Sequence, residues 1–126
     1  MNTQILFTRE VIIVPPLELT SREIGACVEF QGIVRELEQG TPLQGIEYGA
    51  YEPMARRLLY AHFADLSAKY PCDSIVFIHR LGWVPVGETS LFVRVLSAHR
   101  GEALSFLADA IDRLKMDVPI WKLRKS

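Results

Sequence analysis

The sequence contains only two cysteines, Cys27 and Cys72, far apart and without a C-x-x-C, which argues against both a disulfide framework and a metal knuckle. Its three histidines have no ligand-like spacing, so no metal site is expected. An excess of either charge is also missing. Lys plus Arg total 14 against 15 Asp plus Glu, a formal net charge of -1, which lacks the basic footprint of a protein that lives on a nucleic-acid backbone. The aromatic–basic interleaving of a small RNA-binding domain is absent as well. No apolar run approaches the roughly 18 residues that span a bilayer. Met1-Asn2-Thr3-Gln4 has neither the basic nor the apolar region of a signal peptide, so a reduced, cytoplasmic domain is expected. Missing too are G-x-G-x-x-G before a helix, a Walker A motif and a G-x-S-x-G elbow, which removes the dinucleotide, P-loop and α/β-hydrolase readings. No cofactor is implied.

What is present is ordinary globular composition, 49% hydrophobic and 23% charged, over 126 residues. That length suits one domain, and no repeat or linker divides it. Ile5–Phe7 and Val11–Val14 read as short strands, the second stopped by Pro15-Pro16. From Ala26, residues alternate: Ala26, Val28 and Phe30 on one face, Cys27, Glu29 and Gln31 on the other, a half-buried strand. A polar loop, Glu36–Pro42, leads to Leu43–Tyr51, read as its partner strand. Pro53 suits the first turn of a helix, and Ala55, Leu58, Leu59, His62, Phe63, Leu66 and Tyr70 recur at helical spacing up to Pro71. Ser74–Arg80 and Leu91–Leu96 are apolar strands around a turn-rich loop, Gly82–Gly87. A second helix is predicted from Gly101 to about Met116, with Pro119–Arg124 extended beyond it. The order predicts an α+β fold with mainly antiparallel strands and two principal helices.

Several cations stand out. His99 and Arg100 lie where a buried strand hands over to a helix N-terminus, whose free N–H groups favour an anion. Lys115 follows Leu104, Leu107, Ala108 and Ile111 on what reads as one apolar stripe. It either snorkels or points into a pocket that desolvates its ammonium. Lys122 follows Trp121 after a turn that Pro119 enforces. Arg35 ends the Ala26 strand. His79-Arg80 ends a further apolar run and reads as structural, because no neighbour in sequence supplies a complementary group. His62 reads as a core or edge histidine. A cluster of Arg, His and Lys without a carboxylate pair or thiol nucleophile suits a phosphorylated or carboxylate-bearing ligand.

Taken in order, Phe30-Gln31-Gly32-Ile33-Val34-Arg35, Glu47–Pro53, His79-Arg80-Leu81-Gly82, Val86-Gly87-Glu88, Ser97-Ala98-His99-Arg100, and Leu114-Lys115 through Pro119-Ile120-Trp121-Lys122 resemble the large, catalytic subunit of molybdopterin synthase. The resemblance covers roughly residues 25–124 and implies an α/β-hammerhead-like fold. It implies a sulfurtransferase of molybdenum cofactor biosynthesis. Sulfur would pass from the thiocarboxylated Gly-Gly C-terminus of a small ubiquitin-like carrier subunit to cyclic pyranopterin monophosphate. A homodimer within a heterotetramer is implied as well. The family's substrate-binding residues map onto Arg35, His99, Arg100, Lys115 and Lys122, with Lys115 and Lys122 catalytic. The pattern departs at Ile33, where the family commonly has lysine, at Leu123-Arg124, and in a short tail ending at Ser126. The alternative expectation is a non-catalytic relative that binds a ubiquitin-like partner or an anionic ligand.

Overall fold

In the computed structural model, which describes the backbone of residues 1–126 and every side chain except that of Glu38, eleven elements follow one another. They are β1 (Asn2–Thr8), β2 (Ala26–Ile33), β3 (Leu37–Glu38), β4 (Thr41–Pro42), β5 (Gly45–Ala50), α1 (Glu52–Lys69), β6 (Ser74–Arg80), β7 (Gly82–Pro85), β8 (Thr89–Ser97), α2 (Arg100–Asp117) and β9 (Ile120–Lys125). Four strands form one sheet in the order β1-β6-β8-β2. Within it β1 and β6 are parallel and the other neighbours antiparallel. A second, antiparallel sheet has the order β7-β5-β9. The fold is α+β with mainly antiparallel pairing, as the element order predicts.

The alternation along β2 is realised: Ala26, Val28, Phe30 and Gly32 are half-buried, while the residues between them are exposed. Both helices cover this face of the four-stranded sheet. In α1, proline in the first turn costs no hydrogen bond, since N–H groups there have no intrahelical acceptor. The helix buries Ala55, Leu59, Phe63 and Leu66. Its ring Phe63 meets Phe77 of β6 at 5.9 Å and Phe106 of α2 at 6.1 Å between centroids.

Four sequence expectations need correction. Val11–Val14 is not a strand; residues 9–25 form an irregular strap. Pro15 and Pro16 lack the N–H groups that a ladder requires, and their carbonyls are taken by a side chain instead. Arg94 Nη2 donates to the Pro15 oxygen at 2.9 Å and Nη1 to the Pro16 oxygen at 3.4 Å, while Nε meets Glu29 Oε2 at 2.6 Å. Leu43–Tyr51 does contain a strand, but β5 pairs with β7 and β9 rather than with β2, so Gly82–Pro85 is ladder and not merely loop. The polar loop holds a small hairpin, β3-β4, whose turn residues Gln39 and Gly40 both have positive φ, the signature of a tight primed turn. Finally, α2 is rotated from the expected stripe. It buries Ala103, Phe106, Leu107, Ala110 and Leu114, leaving Leu104 exposed, because Phe106 must face Phe63 and the small Ala103 and Ala110 let the helix approach the sheet.

Arg94 is 5% exposed and holds the strap to the sheet. Replacing it by alanine leaves Glu29 without its partner and releases both carbonyls. A loss of about 2–3 kcal/mol is expected from urea unfolding, the scale of a hydrogen bond to a charged group, together with faster proteolysis within residues 9–25. Unchanged stability and cleavage in Arg94→Ala would show that the strap is held by other contacts.

Candidate active site

Where the two sheets meet, the ends of β2, β6 and α2 and the middle of β5 and β9 surround a cleft of about 270 Å³. Three expected site residues reach it: Arg35, Lys115 and Lys122. Arg35 is set by its neighbour Val34, which is buried, donates its N–H to the Glu88 oxygen at 3.1 Å and accepts from Gly87 at 2.9 Å. Lys115 comes one residue after buried Leu114 in the last turn of α2, where the carbonyl end of the helix favours a cation. Lys122 lies opposite Tyr48 in the β5–β9 ladder. The register shifts there, so that Glu47 pairs with Arg124 while Tyr48 pairs with Lys122, and Leu123 is the extra residue of a bulge. Its side chain folds over Gly49, where a Cβ would come within 2.7 Å of Leu123 Cδ1. Glycine at that position therefore permits the bulge that aims Lys122.

All three cations are exposed. Of the two alternatives read for Lys115, the single chain shows the solvent-facing one: Lys115 lies in the final turn of α2 and Lys122 on the edge strand β9, and both side chains reach solvent. His99 and Arg100 do not reach this cleft within the single chain. They line a separate shallow opening with Gly25, Ala98 and Gly101. The separation follows from α2 itself, because Arg100 begins an 18-residue helix and Lys115 lies in its last turn; at about 1.5 Å per residue the two stand roughly 20 Å apart along the axis. At that far end the fully buried Ser97 hydroxyl donates to the His99 carbonyl oxygen, and the His99 side chain does not cap the helix.

The cleft also holds a residue read from sequence as merely structural. His79 lines it and is 5% exposed. Its Nδ1 donates to the Arg80 carbonyl oxygen at 2.8 Å, and the Tyr48 ring packs edge-on at 5.1 Å between centroids. Burial lowers its pKa from the ordinary 6.5, with the backbone hydrogen bond opposing more weakly. A sequence signal existed: Ile75, Phe77 and His79 share one face of β6, so His79 is where an apolar row stops at a site. The neighbour Arg80 does have a complementary group, Glu88, whose Oε1 lies 2.6 Å from Nη1. His62 is the edge histidine expected, with Nε2 2.7 Å from Asp117 Oδ1.

A groove of about 290 Å³ beneath the strap is lined partly by Arg94, but that guanidinium is engaged by Glu29 and two carbonyls, so the groove offers no cation to a ligand. Neither thiol is poised as a nucleophile. Burial raises the pKa of Cys72 to about 11 and also raises that of Cys27, which keeps both protonated near neutral pH.

Because His79 is neutral when folded and titrates near 6.5 when unfolded, acid favours the unfolded chain. Its contribution to stability is complete above pH 6.5 and is lost as the pH falls from there through the folded-state value. The difference in urea midpoint between the wild type and His79→Phe should therefore shrink from pH 7.5 to pH 5. A difference independent of pH would show that His79 does not titrate as assigned.

Residues 8–117 match the family model described as MoaE protein. The chain is 42% identical over 99 residues to the molybdopterin synthase catalytic subunit of Nostoc and 43% over 98 residues to the human protein of that name, 78% of this chain in each case. The matched stretches span 60% and 52% of those relatives' own lengths. Among solved structures, molybdopterin synthase from Staphylococcus aureus superposes with a TM-score of 0.80 at 31% identity, covering 91% of this chain and 85% of the other. A complex of subunits 1 and 2 of molybdopterin-converting factor from Helicobacter pylori superposes with a TM-score of 0.65 at 25% identity, covering 79% and 65%. With the family model running from the end of β1 to the end of α2, across all but β9 of the elements that build the cleft, the chain belongs to the MoaE family.

Proposed function

We propose that this chain is the sulfur-transferring large subunit of a cytoplasmic molybdopterin synthase. It takes sulfur from the thiocarboxylated Gly-Gly C-terminus of a small ubiquitin-like carrier and builds the dithiolene on cyclic pyranopterin monophosphate. The observation that carries this reading is the convergence of Arg35, Lys115 and Lys122, from three separate parts of the chain, on one open cleft. A cyclic phosphate and a C-terminal thiocarboxylate are both anions, and three cations without a carboxylate among the described lining residues suit both at once. The catalytic-subunit names of the Nostoc and human relatives support the same reading. So does the two-subunit Helicobacter complex.

In this reading the carrier's tail roofs the cleft and supplies the desolvation that the single chain lacks. The thiocarboxylate sulfur displaces an oxygen from a side-chain carbon of the pterin, the C–O bond breaking as the C–S bond forms. The departing oxygen leaves as phosphate oxygen or, once protonated, as water. A second water then cleaves the acyl–sulfur bond, leaving a carboxylate on the carrier and a thiolate on the pterin. A second carrier repeats the transfer at the neighbouring carbon. Lys115 lies against the thiocarboxylate carbon and moves protons there; Lys122 positions the pterin and stabilises developing negative charge. Arg35 holds phosphate. His99 and Arg100 also bind substrate, but one chain places Arg100 at the opposite end of α2 from Lys115. A second copy brings them to the cleft, giving a homodimer with a carrier at each end, a heterotetramer. The exposed apolar residues Val11, Ile13, Leu17 and Leu19 of the strap favour such self-association.

Single-turnover formation of molybdopterin with thiocarboxylated carrier and cyclic pterin tests the reading. Lys115→Ala should slow it by roughly 100-fold or more while leaving the urea midpoint unchanged, since the side chain is exposed. Lys115→Arg should rescue poorly, because guanidinium does not release its proton. A near-wild-type rate for Lys115→Ala removes the catalytic assignment, and a wild type that docks the carrier without turnover establishes the non-catalytic alternative, which Ile33 in the cleft wall would favour. Cys27→Ser/Cys72→Ser should turn over normally with preformed thiocarboxylate; loss of turnover in the folded variant would make a thiol the sulfur relay. Co-expressed Lys115→Ala and Arg100→Ala chains should regain activity that neither variant has alone. If the mixture stays inactive, the site is not shared between copies.

A further inference from the structure

The cleft's ligand-facing polar groups are mostly donors: the Arg35 guanidinium and the ammonium groups of Lys115 and Lys122. His79 differs. A carbonyl oxygen only accepts, so the 2.8 Å contact with the Arg80 oxygen places a hydrogen on Nδ1. In the neutral ring Nε2 then carries a lone pair. That atom hydrogen-bonds no described residue, and the ring forms part of the cleft wall. Tyr48 packs edge-on at 5.1 Å and Phe77 is tilted at 6.4 Å, so rings on two sides set the plane of the imidazole. The acceptor is thus held in place before any ligand arrives.

We propose that His79 is a specificity-determining residue of the cleft: its Nε2 accepts a hydrogen bond from an N–H or O–H of the bound ligand, so the cleft prefers an anion that also carries such a donor to a bare anion. This rests on the reading under Proposed function and deepens it, since a pterin ring with its N–H groups beside a phosphate has that combination. Protonation turns Nε2 into a donor and adds a fourth positive charge. Burial of the ring resists this, and the surroundings supply no carboxylate to favour it. Lys115 comes from α2, Lys122 and Tyr48 from β9 and β5, Arg35 from the segment after β2, Ser90 from β8 and Phe7 from the neighbouring β1, and no described residue of the lining is a carboxylate. Acid should therefore weaken binding of the donor-bearing anion and strengthen binding of the bare one.

Calorimetric titration of the purified chain with cyclic pyranopterin monophosphate and, separately, with inorganic sulfate, an anion that carries no O–H at these pH values, tests this. His79→Phe should lose roughly tenfold in affinity for the pterin, the worth of one hydrogen bond, and less than about twofold for sulfate. His79→Gln, which restores an acceptor oxygen, should recover part of the loss. Lowering the pH from 7.5 to 5.5 should reduce pterin affinity in the wild type more than in His79→Phe. Side-chain nitrogen NMR of the wild type provides a readout independent of any variant: the Nε2 resonance should move on adding the pterin and stay on adding sulfate at pH 7.5. Equal losses for both ligands, undiminished pterin binding by a folded His79→Phe, or an Nε2 resonance unmoved by bound pterin would each overturn the assignment while leaving the sulfur-transfer reading intact. A wild type that binds no pterin overturns both.

Discussion

Three phenylalanine rings hold the molecule in register. Phe63 of α1 lies between Phe77 of β6 and Phe106 of α2, all three fully or almost fully buried. Aromatic burial of this kind dominates core energetics, and the tilted pairs add directionality to it. Rotating α2 to satisfy Phe106 sends Leu114 inward and places Lys115 at the rim of the cleft. Fixing β6 through Phe77 places His79, two residues on, in the wall of the same cleft. Core packing and site geometry are therefore one constraint. A cavity at Phe106 would act on the lysine without touching it.

The second sheet supplies what the core cannot. Its central strand β5 carries Tyr48, which faces Lys122 across one ladder and His79 across the gap between sheets. The bulge at Leu123, accommodated by Gly49, puts Lys122 opposite Tyr48 while Arg124 stays opposite Glu47. Three cations gathered at an open mouth repel one another, and solvent exposure keeps that repulsion small. Covering the mouth removes this screening, so an anion becomes necessary as the site closes. That coupling supports the proposed completion of the site by a carrier's charged tail.

The far end of α2 shows how one helix separates two groups of basic side chains. Arg100 and His99 sit at its start, beside the buried Ser97 that ends β8, while Lys115 ends it. A rigid helix of 18 residues keeps the two groups apart in any single copy. Cooperation between them requires two chains.

Local periodicity made much of the architecture readable. Alternation from Ala26, the apolar run Ser74–Arg80, the proline-opened helix with Ala55, Leu59, Phe63 and Leu66, and extension after Pro119 all depend on near neighbours along the chain, and each is realised. Arg35, Lys115 and Lys122 were legible as cations interrupting apolar patterns. Even the distance between Arg100 and Lys115 was implicit in the predicted helix length, although residue type alone had grouped them. Other features depended on partners distant in sequence. The pairing of β5 with β7 and β9, the capture of Pro15 and Pro16 by Arg94, the Phe106–Phe63 contact that sets the phase of α2, and the approach of Tyr48 to His79 arise only when remote segments meet. Periodicity reports which face of an element is apolar; it carries no information about which surface that face meets, and His79 became part of a site only through that meeting.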